Sequence, residues 1–202
     1  MLDQFNNITS VKRKFKKLAA LDAILSPEWD YRYYSYNSKW SDLIEMASMR
    51  DGCGNEWFLW LTDCHAAYKM FSKDDGYIDS PEALLKTLPN EYEHFVNEPA
   101  FSLDTISRIG YLNNGEWIYL GIDVKYLPLV ERIYSMSKDD YFKWAYEYFE
   151  ISVDTLLADA IWADPASLPT AKLINTDLDI DAFKLDLIEI GLTSRCTGAD
   201  NG

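Results

Sequence analysis

Histidine, cysteine and long apolar runs are all scarce in this chain, and each scarcity removes a class of function. The 202 residues include two histidines, His65 and His94. A hydrolase built on Ser-His-Asp or Cys-His chemistry has to recruit one of them. His94 sits in the acidic stretch EYEHF and reads as a surface residue. His65 adjoins Cys64, but neighbouring side chains on a strand point to opposite faces, so adjacency predicts no dyad. No catalytic residue is assigned on these grounds.

The three cysteines, Cys53, Cys64 and Cys196, form no even framework. The N-terminal MLDQFNNITS has no apolar h-region. Together these predict reduced thiols, no disulfide and a cytoplasmic chain. No run of about 18 apolar residues occurs, which argues against a membrane span. Zinc-type spacing is missing around Cys53 and Cys64. The run Asp177, Asp179, Asp181 imitates the start of a calcium loop but has Ala182 and Ile188 where the glycine and the distal glutamate belong. It reads better as a helix N-cap. No P-loop or GxGxxG occurs. The expectation is a protein with no metal and no cofactor.

Positive charge is the next shortage, with 19 Lys and Arg against 33 Asp and Glu and a net charge of −14. Five of the basic residues are Lys12, Arg13, Lys14, Lys16 and Lys17, so the remaining chain is more acidic than the total suggests. Such a body repels nucleic acid and anionic membranes and attracts a basic protein or a cation. Ile8, Val11, Phe15, Leu18 and Leu21 recur at helical spacing. The cationic cluster reads as the solvated face of that helix; a nucleic-acid or membrane patch is the competing interpretation.

What is abundant is aromatic surface: fourteen Tyr and seven Trp. YRYYSYNSKW reads as a loop or edge strand, followed by a strand over 43–49. DGCGN supplies turn chemistry, with Gly52 or Gly54 at positive φ. EWFLWLT, apolar at successive positions, suits a strand covered on both faces. AAYKMFS completes an antiparallel meander over 43–72. SPEALLKTLPNEYEHFVNEP is helical, with Ser80 as N-cap, Pro81 at the first helical position and a break at Pro89. Asn114-Gly115 marks a hairpin. A helix is expected from Lys138, then three short helices divided by Pro165, Pro169 and the NTDLD turn, with Gly191 as a C-terminal cap. The fold class is α+β: an antiparallel sheet, meander plus hairpin, flanked by helices, with a C-terminal group of short helices. Residues 1–150 form the main domain, 151–193 a helical extension packed on it, and 194–202 a disordered tail.

Two candidate sites follow. Arg50, Gly52, Cys53, Gly54, Glu56 and Trp57 could hold a carboxylate or phosphate: the guanidinium supplies charge and the glycines permit close backbone approach. Cys53 has no base beside it and suits a crowded turn. The exposed members of Tyr31, Tyr33, Tyr34, Tyr36 and Trp40 are candidates for contact with a protein partner.

Three segments carry a resemblance. SMRDGCGNEWFLWL, AAYKMF and FVNEPAFSLD resemble a family of uncharacterised bacterial proteins in which S-M-R-x-G-x-G-x-x-W/Y-F is followed by G-A-x-x-K-G-F and E-P-A-F. The matching positions are Ser48, Met49, Arg50, Gly52, Gly54, Trp57, Phe58, Ala67, Lys69, Phe71, Glu98, Pro99, Ala100 and Phe101. The family's H-E-S run after G-F is replaced by Ser72-Lys73-Asp74-Asp75. The resemblance implies a shared design around the first turn and supplies no activity. Two functional classes remain. One is a non-catalytic, acidic protein-binding module, such as a bacterial immunity-type protein neutralising a basic toxin. The other is an enzyme or small-ligand-binding protein using the Arg50–Trp57 loop. The expected partner is a basic protein, with no nucleic acid and no membrane; the oligomeric state stays open.

Overall fold

A computed structural model describes residues 5–192, so Cys196 and the tail expected at 194–202 lie outside the described residues. The meander is present as β2 (Ile44–Arg50), β3 (Glu56–Leu61) and β4 (Ala66–Phe71). β1 (Tyr34–Ser41) joins one edge, and the hairpin β7 (Arg108–Asn113) and β8 (Glu116–Gly121) extends the other. The antiparallel order is β1-β2-β3-β4-β7-β8. A small separate pair, β5 (Ile78–Asp79) with β6 (Thr105–Ile106), lies within the crossover. Asn114 (φ 50°) and Gly115 (φ 82°) turn the hairpin in the left-handed geometry that Asn-Gly favours.

Both faces of the sheet are covered, which is why β3 is apolar at successive positions. Trp57, Leu59 and Leu61 enter one core, and Phe58 and Trp60 the other. The first face packs on α1 (Ile8–Leu25) and on α5 (Lys138–Phe149), α6 (Thr155–Ala163), α7 (Leu168–Ile174) and α8 (Ile180–Ile190). The helices beyond residue 150 therefore share the core of α1, with Ile161, Ala171, Phe183 and Leu187 all buried in it. The second face is covered by the crossover: α2 (Glu82–Leu85), a 3-10 turn (Asn90–Tyr92), α3 (Glu93–Val96) and a second 3-10 turn (Pro99–Phe101). A further helix, α4 (Val130–Ser135), lies between the hairpin and α5.

Local chemistry fixes most helix ends. Ser137 and Asp140 form a reciprocal capping box on α5, and Asp179 caps α8 through the amides of Asp181 and Ala182. Gly191, at φ 77°, ends α8. The crossover departs from expectation. Ser80 stands at φ 57° and makes no cap; Pro81 takes the N-cap position and α2 stops after one turn.

The cationic face of α1 also departs from expectation, because among those five residues only Arg13 is exposed. Lys12 and Lys16 converge on Glu45 at 2.8 and 2.7 Å, and the Tyr36 hydroxyl donates to the same carboxylate. Burial pulls Glu45 upward, but these three donors outweigh it and hold the carboxyl below its usual range. Lys14 and Lys17 lie over the Trp162 ring at 4.6 and 4.7 Å and donate to the carbonyls of Met136 and Trp162. Burial draws the Lys14 ammonium down to about 8. The lysines thus join α1 to β2 and to the C-terminal helices.

Beneath them lies Asp22, fully buried on α1. It accepts from the amides of Tyr33 (3.1 Å) and Tyr34 (2.7 Å) and from the Tyr141 hydroxyl (2.7 Å). One carboxyl thereby ties α1 to the entry of β1 and to α5.

Candidate functional site

The second face of the sheet gathers several of the residues that carry the resemblance, while Met49 and Trp57 lie in the core of the first face. Ser48 and Arg50 on β2, Glu56 and Phe58 on β3, and Lys69 on β4 share it, since side chains on a strand alternate. Lys69 is buried, pairs with Glu56 at 3.0 Å, and lies 5.8 and 5.6 Å from the Phe58 and Phe71 rings. The Arg50 guanidinium covers Trp29 at 4.6 Å. From the crossover, Phe101 stacks on Phe58 at 5.4 Å, and Glu98 accepts from the Trp40 indole at 3.0 Å. Neighbouring strands of the meander and a segment about 30 residues further along the chain therefore meet in one packed cluster.

The Arg50–Trp57 loop itself is a self-contained turn. Gly52 (φ 72°) and Gly54 (φ 101°) both take left-handed backbone, as expected. The Asp51 carboxylate accepts from the Cys53 amide (2.7 Å) and the Asn55 amide (3.0 Å). Those donors are consumed within the turn and do not form an anion cradle. A Cβ on either glycine would meet no atom within 4 Å, so the glycines serve the turn's dihedrals rather than close approach of a neighbour. Trp57 points the opposite way, fully buried beside Phe15, and its indole N–H has no hydrogen-bond partner among the described residues. Glu56 is committed to Lys69. The six residues expected to form one ligand site therefore do not converge: Arg50 and Cys53 are exposed, and Trp57 belongs to the core.

The aromatic segment is corrected in the same way. Tyr34 and Tyr36 pair opposite Met49 and Ala47 and face α1, and Tyr33 packs on Trp144 and Tyr148. All three are core residues that a partner cannot reach. Their alternation was obscured by Tyr33, which precedes the strand. Tyr31 is 68% exposed and Trp40 is half-buried.

A groove of about 560 Å³ opens at the other end of the second face. Ile44 and Trp60 form its floor and Leu43 its lip; Asp42, Asp63 and Glu91 stand around it. None of its lining residues is Lys or Arg. Asp63 shares the Lys12 ammonium at 3.1 Å. Both histidines and Cys64 line the groove. Cys64 Sγ lies 3.2 Å from His65 Nδ1, contrary to the expectation that they diverge. The reason is that both occupy the β3–β4 turn, held by the Thr62 hydroxyl, and not a strand. The His65 ring meets Tyr92 edge-on at 5.7 Å, and among the described residues no third polar group orients it as a catalytic base requires. Sequence reading misses the groove because 41–44, 60–65 and 91–94 come together only in the fold.

Cys53 and Cys64 are free thiols. Among the described residues no His, Cys, Asp and Glu cluster could hold a metal ion, and no helix is long and apolar enough to cross a membrane. Comparison with protein-family models, curated proteins and solved structures found no match. Fold and site together describe an α+β protein with a two-faced antiparallel sheet and an acid-rimmed groove.

Proposed function

We propose that this chain is a non-catalytic, acidic module that binds a basic protein, in the manner of a bacterial immunity-type protein neutralising a basic toxin. The observation that carries this is where the positive charge is used. Lys12, Lys16, Arg32, Lys69, Arg108 and Lys138 are each committed to a carboxylate of the same chain. Lys14 and Lys17 are committed to Trp162. With these eight of the 19 cations held by groups of the same chain and a net charge of −14, the outward field is acidic, although Arg13, Arg50 and Lys73 are among the cations that stay exposed. That field complements a basic surface and opposes nucleic acid and anionic lipid. The free thiols of Cys53 and Cys64 are in keeping with a cytoplasmic setting. Membership of the uncharacterised bacterial family is part of the same proposal, supported by the contacts of Phe58 with Lys69 and Phe101, one residue from each of its three segments.

The ligand-binding alternative keeps one supporting observation. Arg50 is exposed, stacked on Trp29, and paired with no carboxylate among the described residues. The spent amides of the loop leave it a single contact, too little for a site.

The experiment is capture of a partner from the native host on the immobilised full chain, followed by its identification. A partner of basic isoelectric point is the expected result. A specific partner that is acidic would overturn the proposal.

A further inference from the structure

Leu43 is difficult to explain by folding alone. It forms the tip of the β1–β2 turn at φ 62°, a conformation unfavourable for a residue with a Cβ and a branched side chain. Glycine or asparagine would occupy that position with less strain. The side chain is also 86% exposed, so its burial repays nothing. Two independent costs meet at one residue, and that residue is the lip of the groove described above. Beneath it, Ile44 and Trp60 continue the apolar surface inward.

Within the groove the formal charges are all carboxylates; Lys12 and Lys39 stand outside it, in the adjoining hollow on the other side of Asp42 and Leu43. Asp42 comes from the β1–β2 turn, Asp63 from the β3–β4 turn and Glu91 from the 3-10 turn of the crossover. Asp63 is partly neutralised by Lys12, whereas Asp42 and Glu91 form no ion pair among the described residues. A neutral apolar guest would leave these carboxylates facing it without compensation, and an anionic one would be repelled. The guest that satisfies both parts of the groove carries an apolar side chain beside a cationic one.

Resting on the proposed protein-binding function, we propose that the groove between the β1–β2 and β3–β4 turns is where the basic partner docks. It receives a segment with an arginine or lysine next to a large apolar residue. Leu43 and Trp60 pack the apolar side chain, and Asp42 and Glu91 receive the cation. Leu43 is the anchor presented to the partner, held out by the turn at the cost of local strain.

The test uses the full chain labelled with nitrogen-15 and two peptides, acetyl-Arg-Leu-Arg-Leu-amide and acetyl-Glu-Leu-Glu-Leu-amide. The arginine peptide is expected to shift amide resonances of 41–44, 60–65 and 91–94 in a saturable way, and the glutamate peptide to leave them in place. Leu43→Gly should keep the fold, because glycine accepts the left-handed turn, and should weaken binding roughly tenfold, the loss of about 1.4 kcal/mol. Asp42→Asn with Glu91→Gln should weaken it comparably without touching the apolar floor. Shifts located elsewhere, or variants that bind the arginine peptide as the parent does, would overturn the assignment. So would self-association abolished by Leu43→Gly, which would make the groove an interface between two copies of this chain. If the captured partner is basic but indifferent to Leu43→Gly, the groove assignment fails while the binding function stands. If the captured partner is acidic, the function itself fails.

Discussion

The Tyr141 hydroxyl donates to Asp22 at 2.7 Å inside the core, joining two residues 119 positions apart. Desolvation raises Asp22 to about 7, although hydrogen bonds from Tyr34, Tyr141 and Tyr33 oppose the shift. An aspartate in an unfolded chain releases its proton near pH ~3.9. Between that value and 7 the folded state holds more protons than the unfolded one, so stability must fall as pH rises. The contribution is present in full below pH ~4 and is lost as pH rises through 7, on the order of 4 kcal/mol in all. Asp22→Asn, which mimics the neutral acid, should flatten this component. Urea unfolding at pH 5 and pH 8 checks it: the parent should lose stability relative to the variant at the higher pH, and parallel behaviour would contradict the assignment.

Removing the hydroxyl tests the same junction from the other side. Tyr141→Phe deletes one buried donor to Asp22 and should lower stability by about 1–2 kcal/mol. Because the lost bond stabilises the charged carboxylate, the deficit should be larger at pH 8 than at pH 5. Thermal unfolding at the two pH values measures the difference.

Lys69 and Glu56 form a partnership that should be asymmetric under mutation. The Lys69 side chain is 1% exposed, and that of Glu56 is 28% exposed. Glu56→Gln leaves a buried ammonium with a weaker partner and should cost on the order of 1–3 kcal/mol, less than a fully buried pair because water reaches the glutamate. Lys69→Met together with Glu56→Gln should recover much of that loss, since Met fills the space between Phe58 and Phe71 without a charge. A double-mutant cycle in denaturant gives the comparison.

Gly52→Ala and Gly54→Ala should each destabilise by about 1 kcal/mol through backbone strain alone. A substituted Cβ meets no atom there, so partner binding and the packing of Phe58 should be unchanged. Calorimetry paired with binding to the captured partner separates the two effects.

Much of the fold is legible in the sequence because it is specified locally. The Asp51–Asn55 turn, the Asn114-Gly115 hairpin, the Ser137–Asp140 capping box and the Gly191 cap each use a few consecutive residues with a definite dihedral or hydrogen-bond preference. What is not legible depends on distant partners. The lysines of α1 look solvated in sequence, and only the fold brings Glu45 and Trp162 to them. Tyr33, Tyr34 and Tyr36 look available for binding, and only the pairing of β1 with β2 turns Tyr34 and Tyr36 under α1. Ser80 has the chemistry of an N-cap, but Pro81 and the short crossover give it another conformation. The groove has no sequence signature, because its walls come from three separate segments. The positive φ of Leu43, its clearest mark, is visible only in three dimensions.

The most direct test of the central claim is the association rate of the captured partner at low and at physiological ionic strength. Exposed charges are screened over about 8 Å at physiological salt, so an encounter steered by the acidic surface should slow several-fold while the dissociation rate changes little. An association rate indifferent to salt would contradict the account.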